Sequence, residues 1–343
     1  MLPTPTPPSP SLPAVALARS LDTRLLHTLV VGKTGQGKST LLAALAAEDA
    51  RAGRGFLLVD PHGDLAKQVL AEIPRRRKND VVLFNATEPG TCPGLNPLRQ
   101  LEPRDRALVV SNILATMKKL WGAEAWGPRT EHLLRHALLA LTEVRGATLA
   151  DARALLVDPK RRDSILRQVK DPQVVDFWAR EFVGYGKAFQ AEITAAPLNK
   201  LGALLASGVV REIVTKTRPR LDARKLIDRG AIVLASLPKG QIGEDATLLL
   251  GGLLLGAFQH AALGRADVSR SERRPFFMLV DEVGSFATPP LLGLVAEARK
   301  FGVGLVLALQ SLAVLEAPVR HALLGNVGTL VSFRVGAENA NCG

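Results

Sequence analysis

Seven short apolar runs punctuate the chain, at residues 28–31, 56–60, 81–85, 231–237, 276–281, 305–310 and 330–335, each bounded by Gly, Pro, Asp or Asn. They are rich in β-branched and aromatic side chains, and most are apolar throughout instead of alternating with polar positions. A strand that is apolar on both faces has to be covered on both, which is the requirement of a parallel sheet flanked by helices. Helix-forming segments at 39–50 and 65–72 separate the first of these strands. The pattern predicts an α/β fold with a mainly parallel sheet.

Between Glu102 and about Ala206 the strand signals stop. Helical periodicity takes over at 105–120, 129–144 and 148–156. This predicts an all-helical insertion over 102–225 that divides the α/β core into a first part, 21–101, and a second part, 226–343. The insertion holds all three tryptophans, Trp121, Trp126 and Trp178. Aromatic rings beside basic residues can stack on single-stranded bases, but a helical insertion needs an aromatic core, and the core reading is preferred. The most apolar stretch, 247–263, falls short of the ~20 residues of a spanning helix. Gln259 and His260 interrupt it, and Gly251, Gly252 and Gly256 suit close packing. It is expected as a buried helix against the sheet, so no transmembrane segment is predicted.

Composition adds a partner to this picture. A chain of 343 residues with 47% hydrophobic content buries a substantial core. Its 44 Lys and Arg against 32 Asp and Glu give a net charge of +12, which favours a polyanionic partner, although a basic surface also serves solubility. Cys92 and Cys342 have no C-x-x-C or His-spaced companion, which argues against a disulfide framework or a zinc site and fits a reducing cytoplasm. The first 13 residues carry six prolines and no basic-then-apolar secretory pattern. Residues 1–20 read as a disordered tail.

The strongest chemical signal is Gly32-Lys33-Thr34-Gly35-Gln36-Gly37-Lys38-Ser39-Thr40, a full G-x-x-x-x-G-K-[ST] match between an apolar strand and a helix-forming run. Glycines let such a loop wind closely enough for backbone N–H groups to face phosphate oxygens. Lys38 then reaches the β- and γ-phosphates, and the Ser39 hydroxyl ligates Mg²⁺. ATP and Mg²⁺ are the cofactors this predicts.

Ligands bind at the carboxyl ends of strands in such sheets. The last residues of the predicted strands are Asp60, Asn85, Asp281 followed by Glu282, and Gln310, a polar residue each time after an apolar run. With Gly32 they are expected to line one crevice. The run 276–282 has the Walker B form, in which Asp281 holds Mg²⁺ through its shell and Glu282 takes the proton of an attacking water, favouring hydrolysis over transfer to a metabolite. The Gln310 amide is placed to bond the γ-phosphate or that water. Arg299 precedes the last of these strands, near its amino end, so roughly 20 Å separates it from the catalytic edge. It is either a solvated helix-end charge or a finger for the next subunit's site in a ring. His62 lies between Asp60 and Asp64 without a second histidine at ligand spacing, so a strand-end turn that positions nucleotide or couples it to DNA is preferred over a metal site.

Together these residues resemble the HerA/FtsK superfamily of ring ATPases, and most closely its TraD/TraG-like conjugative coupling-protein branch of type IV secretion. The resemblance is carried by the loop 32–40, by Asp60-Pro61-His62-Gly63-Asp64-Leu65, by Pro197-Leu198-Asn199-Lys200-Leu201, and by the Walker B run. It continues through Glu297-Ala298-Arg299-Lys300-Phe301-Gly302 leading to Gln310-Ser311, and Gly325-Asn326-Val327-Gly328 leading to Phe333-Arg334. It implies a RecA-like core with an inserted helical domain, a homo-hexamer with DNA in its channel through sequence-indifferent phosphate contacts, and Arg299 acting in trans. A secretion or nuclease partner at the membrane, with the chain itself cytoplasmic or peripheral at the inner membrane, follows from the same likeness.

Two departures stand out: the phosphate loop follows the tail without the amino-terminal membrane helices of embedded coupling proteins, and the sequence stops at Gly343, where the family continues with further core helices, so a truncated chain is expected. The leading expectation is ATP-driven DNA translocation. The alternatives are a secretion-type ATPase with a protein cargo, and a nucleotide-gated adaptor with little turnover, against which the intact Glu282 argues.

Overall fold

The computed structural model describes residues 21–99, 101–216 and 221–334; the predicted Pro-rich tail lies outside them. Seven strands form one sheet: β1 (Thr28–Val31), β2 (Gly55–Asp60), β3 (Val81–Asn85), β4 (Ile232–Ser236), β5 (Phe276–Val280), β6 (Val303–Leu309) and β7 (Thr329–Ser332). All pair in parallel, in the order β3-β4-β2-β5-β6-β1-β7. Within the described residues, every predicted run contains a strand of this sheet. β1, β2, β5 and β6 are buried at every position, as the absence of alternation demands.

One face is covered by α2 (Lys38–Arg51) and α3 (Asp64–Glu72), which follow β1 and β2 directly. The other is covered by α13 (Glu244–Leu263) and by the helices between β3 and β4. These begin with α4 (Pro103–Trp121) and α5 (Pro128–Thr142) and run on through α6 (Asp151–Val157), α7 (Pro159–Leu166), α8 (Pro172–Asp176), α9 (Lys187–Ala206), α10 (Gly208–Val214) and α11 (Ala223–Arg229). Trp178 and Trp126 are buried, and Trp121 stacks on Trp126 at 6.2 Å with Lys200 over its ring, so two of the three tryptophans serve the core outright.

α13 continues to Asp267 as a helix long and apolar enough to cross a membrane, and a bent pair, Lys187–Ala206 with Gly208–Val214, passes the same test among the described residues. Two thirds of the α13 window is buried in the fold. Its glycines show why: a Cβ on Gly251 would sit 2.3 Å from the Phe286 ring and one on Gly252 2.5 Å from Thr116, whereas Gly256 has ordinary room. Gln259 is satisfied inside, donating to the Pro290 carbonyl (2.7 Å) and accepting from Asn112 (3.1 Å). α13 is therefore seated as a core helix along α4.

Between α1 (Leu21–Leu25) and β1, His27 takes a left-handed backbone (φ 67°) and is buried. Its Nδ1 accepts from the Leu305 amide at 3.1 Å, tying β1 to β6. Burial lowers its pKa from 6.5 to about 4, helped by the charge of Arg299 and opposed by a hydrogen bond with the Val295 backbone. Protonation would remove the lone pair that Leu305 uses. Between pH 6.5 and 4 the unfolded chain binds a proton there that the folded chain refuses, so stability falls as the pH drops through this window. By pH 4.5 the loss amounts to roughly 2–3 kcal/mol. Urea denaturation at pH 7 and pH 4.5 should show this loss, and His27→Asn, which tolerates the same backbone, should lack it.

Candidate active site

β1 delivers the chain to the loop 32–37, and α2 begins at Lys38. Gly35 (φ 77°) and Gly37 (φ 102°) adopt left-handed backbone that a side chain disfavours. Gly32 is constrained differently: a Cβ there would lie 2.7 Å from the Cβ of Phe333, which packs on the loop from the end of β7. The Lys33 amide also donates to the Arg334 carbonyl (3.3 Å). Lys33, Thr34, Gly35 and Gln36 form the exposed rim, and Ser39 and Thr40 open on the first turn of α2. Lys38 is buried, and its ammonium donates to the carbonyls of Gly32 (2.6 Å) and Lys33 (3.0 Å). The loop thus closes around a cation at the positive end of a helix, the arrangement that binds phosphate.

The strand order places β6 between β1 and β5, so Gln310 stands between the loop and the acidic pair. The Ser39 hydroxyl donates to Asp281 Oδ2 at 3.4 Å. Burial raises the Asp281 carboxyl above the ordinary aspartate range; the carboxylates of Asp60 and Glu282 push the same way, against a hydrogen bond from the Glu282 amide. A hydroxyl and a crowded carboxylate at a helix N-terminus form the partial oxygen set that suits Mg²⁺, which keeps waters and takes its other ligands from phosphate. The residues present fit that ion.

Glu282 has the second left-handed non-glycine backbone among the described residues (φ 47°, ψ 47°). Its Oε1 receives His62 Nε2 (2.9 Å) and Gln310 Nε2 (3.1 Å), and its Oε2 receives Lys239 Nζ (2.9 Å). Burial pulls its pKa up, but the hydrogen bonds and charges of Lys239 and His62 outweigh it and hold the carboxylate below the ordinary glutamate range. Gln310 therefore bonds the acid in this state. A cavity of about 430 Å³ opens beside these groups, lined among others by Lys119, Lys239, Glu244, Glu282, Gln310 and Val314.

Lys239 was missed in the sequence because β4 ends at Ser236 and Leu237-Pro238-Lys239-Gly240 reads as a plain turn. The signal was positional: 231–237 is one more apolar run of a parallel sheet, so whatever follows it emerges at the same edge as the ends of β2 and β5. Asp60 is fully buried and acts locally, its Oδ1 accepting from the His62 amide and its Oδ2 from the Ala66 amide, both at 2.8 Å. This holds the turn that aims His62 at Glu282. Asn85 does not join the crevice as expected. β3 is the far edge strand, three positions from β5 and hence roughly 14 Å away, and Asn85 Oδ1 accepts from the Thr87 amide (3.2 Å) and hydroxyl (2.9 Å), closing its own turn. Arg299 lies in the short helix Ala298–Phe301 before β6, exposed, at the amino edge of the sheet where its charge reaches His27.

Residues 20–120 match the family described as helicase HerA, central domain. Over 85% of its length the chain is 24% identical to the type 4 coupling protein DotL of Legionella pneumophila, and it spans 44% of that protein. Among solved structures, the plasmid coupling protein TrwB in complex with ADP and Mg²⁺ superimposes with a TM-score of 0.61 at 19% identity, covering 90% of this chain and 70% of TrwB. VirB4 of Thermoanaerobacter pseudethanolicus gives 0.52 at 17% identity, over 91% and 78% of the two chains. The fold is that of the conjugative coupling proteins. It is RecA-like, with the phosphate loop, the Walker B strand and the intervening β6 in one continuous sheet.

Proposed function

We propose that this chain hydrolyses ATP at the carboxyl edge of its sheet and uses the turnover to move DNA, as one subunit of a homo-hexameric ring. The observation that carries the reading is the gathering of Glu282, Gln310 and the Ser39–Asp281 pair beside a loop closed on Lys38. A triphosphate would draw the Lys38 ammonium from the Gly32 and Lys33 carbonyls to its β- and γ-oxygens. Mg²⁺, held through Ser39 and Asp281, would neutralise charge on those phosphates. Glu282 takes a proton from the attacking water, and Gln310, already at hydrogen-bonding distance from Glu282, reports whether the γ-phosphate is intact. Arg299 faces solvent at the opposite edge and serves a neighbouring subunit's site, which makes hydrolysis depend on assembly.

The likeness supports nucleotide and partner alike: TrwB has been captured with ADP and Mg²⁺ and with ATP and GTP analogues, and both DotL and TrwB are coupling proteins. The helical region over 102–225 would then be a docking module, and a secretion partner would bring a cytoplasmic ring to the inner membrane. The net charge of +12 suits a polyanion held through its phosphates. DNA is therefore expected to raise the ATPase rate of the assembled protein at low salt. That stimulation should fall by an order of magnitude or more between about 50 and 200 mM salt, as released counterions compete. A rate indifferent to duplex and single-stranded DNA at every salt would transfer the cargo role to protein.

A further inference from the structure

We infer that Lys239 is a positioning residue that clamps Glu282 at rest and has to release it before hydrolysis. The inference rests on Glu282 being the base of the proposed reaction. A carboxylate offers about four lone-pair sites, and three donors already occupy this one, with both oxygens engaged. Glu282 is 14% exposed, so little water competes for what remains. A general base must present a lone pair to its water at roughly 2.6–3.2 Å. One site is left, on the Oε2 that Lys239 also holds, so the ammonium is the donor that competes most directly with the water for this oxygen.

The three donors differ in how firmly they are placed. The His62 ring is 47% exposed but stands on the short turn whose backbone Asp60 ties, and Gln310 follows directly on a fully buried strand. Lys239 sits on a flexible stem that is 41% exposed, at the start of the single-turn helix α12 (Lys239–Ile242). Its ammonium makes a charge-assisted bond, stronger than the one from the neutral Gln310 amide. Around Glu282 the other charged groups are Asp281 and Asp60 on the sheet edge, with Lys119 and Glu244 on the walls of the adjoining cavity. Glu244 lines the same cavity as an alternative partner for the released ammonium.

The turn that carries Lys239 is built to pass its movement on. The Lys239 amide donates to the Pro61 carbonyl (3.0 Å) and the Leu237 amide to the Asp60 carbonyl (2.9 Å). This joins the His62 and Lys239 turns into one unit. After Gly243 the chain enters α13, whose Thr247 hydroxyl donates back to the Leu237 carbonyl (2.9 Å). α13 in turn packs along α4, with Gly252 on Thr116 and Gln259 bonded to Asn112. Release of Glu282 and displacement of the helical region are thereby mechanically linked.

The test compares Lys239→Met, Lys239→Arg and Glu282→Gln in the full assembled chain. Lys239→Met is expected to raise kcat without DNA by about 2- to 5-fold, the range set by a partly exposed ion pair, with KM for ATP unchanged; Lys239→Arg keeps the charge and is expected to show less of that rise. Hydrogen exchange supplies a readout apart from turnover. Amides 239–243 should exchange faster in Lys239→Met without nucleotide, and wild type should match it only once a non-hydrolysable ATP analogue is bound. A Lys239→Met kcat that is unchanged or falls toward that of Glu282→Gln, or a raised KM marking Lys239 as a phosphate ligand, overturns the clamp. Wild-type turnover in Glu282→Gln overturns the underlying reading instead, so the two failures are separable.

Discussion

Replacing Glu282 by Gln is expected to lower ATP turnover by about 10²- to 10⁴-fold, the usual contribution of a positioned general base, while nucleotide still binds. Gln has nearly the same volume, and its carbonyl oxygen can still accept from Lys239 or His62, so the local packing survives. What disappears is the capacity to accept a proton. The loop residues that hold the phosphates are untouched, since Lys38 makes its contacts within the loop and Ser39 bonds Asp281. A fluorescent-nucleotide titration should therefore superimpose on wild type while steady-state hydrolysis vanishes. Because Arg299 is expected to act only between subunits, both measurements belong on a protein whose assembly has been sized. A variant that binds and still turns over would assign the chemistry to another group and leave Glu282 as a hydrogen-bond acceptor for its three neighbours.

The parts of this site legible in the sequence were those whose chemistry is local. Gly32 to Ser39 is contiguous, and the polar residue closing each apolar run marks the sheet's catalytic edge because core strands have no packing reason to end in Asp or Gln. Strand order was not legible. Nothing in residues 303–309 says that they insert between β1 and β5, since parallel pairings join segments hundreds of residues apart and leave no mark on either partner alone. That insertion is what brings Gln310 to Glu282, and its counterpart at β4 is what brings Lys239. The same blindness explains Asn85, which has the right residue type at the right end of a strand that proved to be the distant edge. His62 was read correctly as part of a turn, but its ring has a partner 220 positions away in the chain.

The largest effect on stability is expected far from this chemistry, at Asp49. It is fully buried on α2 and accepts from both ends of the Arg24 guanidinium, at 2.5 and 2.7 Å, and from Arg54 Nε at 2.6 Å. Arg24 is itself only 1% exposed and lies 4.0 Å over the ring of Phe277 on β5. The cluster pins the far end of the phosphate-loop helix to the amino edge of the sheet. Asp49→Ala leaves a guanidinium without its anion in a site that water cannot reach, and breaking such a buried pair costs about 3–5 kcal/mol. The double change Arg24→Leu with Asp49→Leu removes the fully buried pair and leaves only Arg54, which is 20% exposed and can turn to water, so it should recover most of that loss, because the penalty comes from the orphaned buried charge more than from the lost attraction. Urea midpoints of the single and double variants decide this; equal losses in both would mean that shape, not charge, is what the cluster contributes. Asp49 lies eleven residues beyond Lys38 along α2, roughly 16 Å at 1.5 Å per residue. Nucleotide affinity of the folded single variant should therefore stay at the wild-type value even where its stability has collapsed, which separates the scaffold of this site from its chemistry.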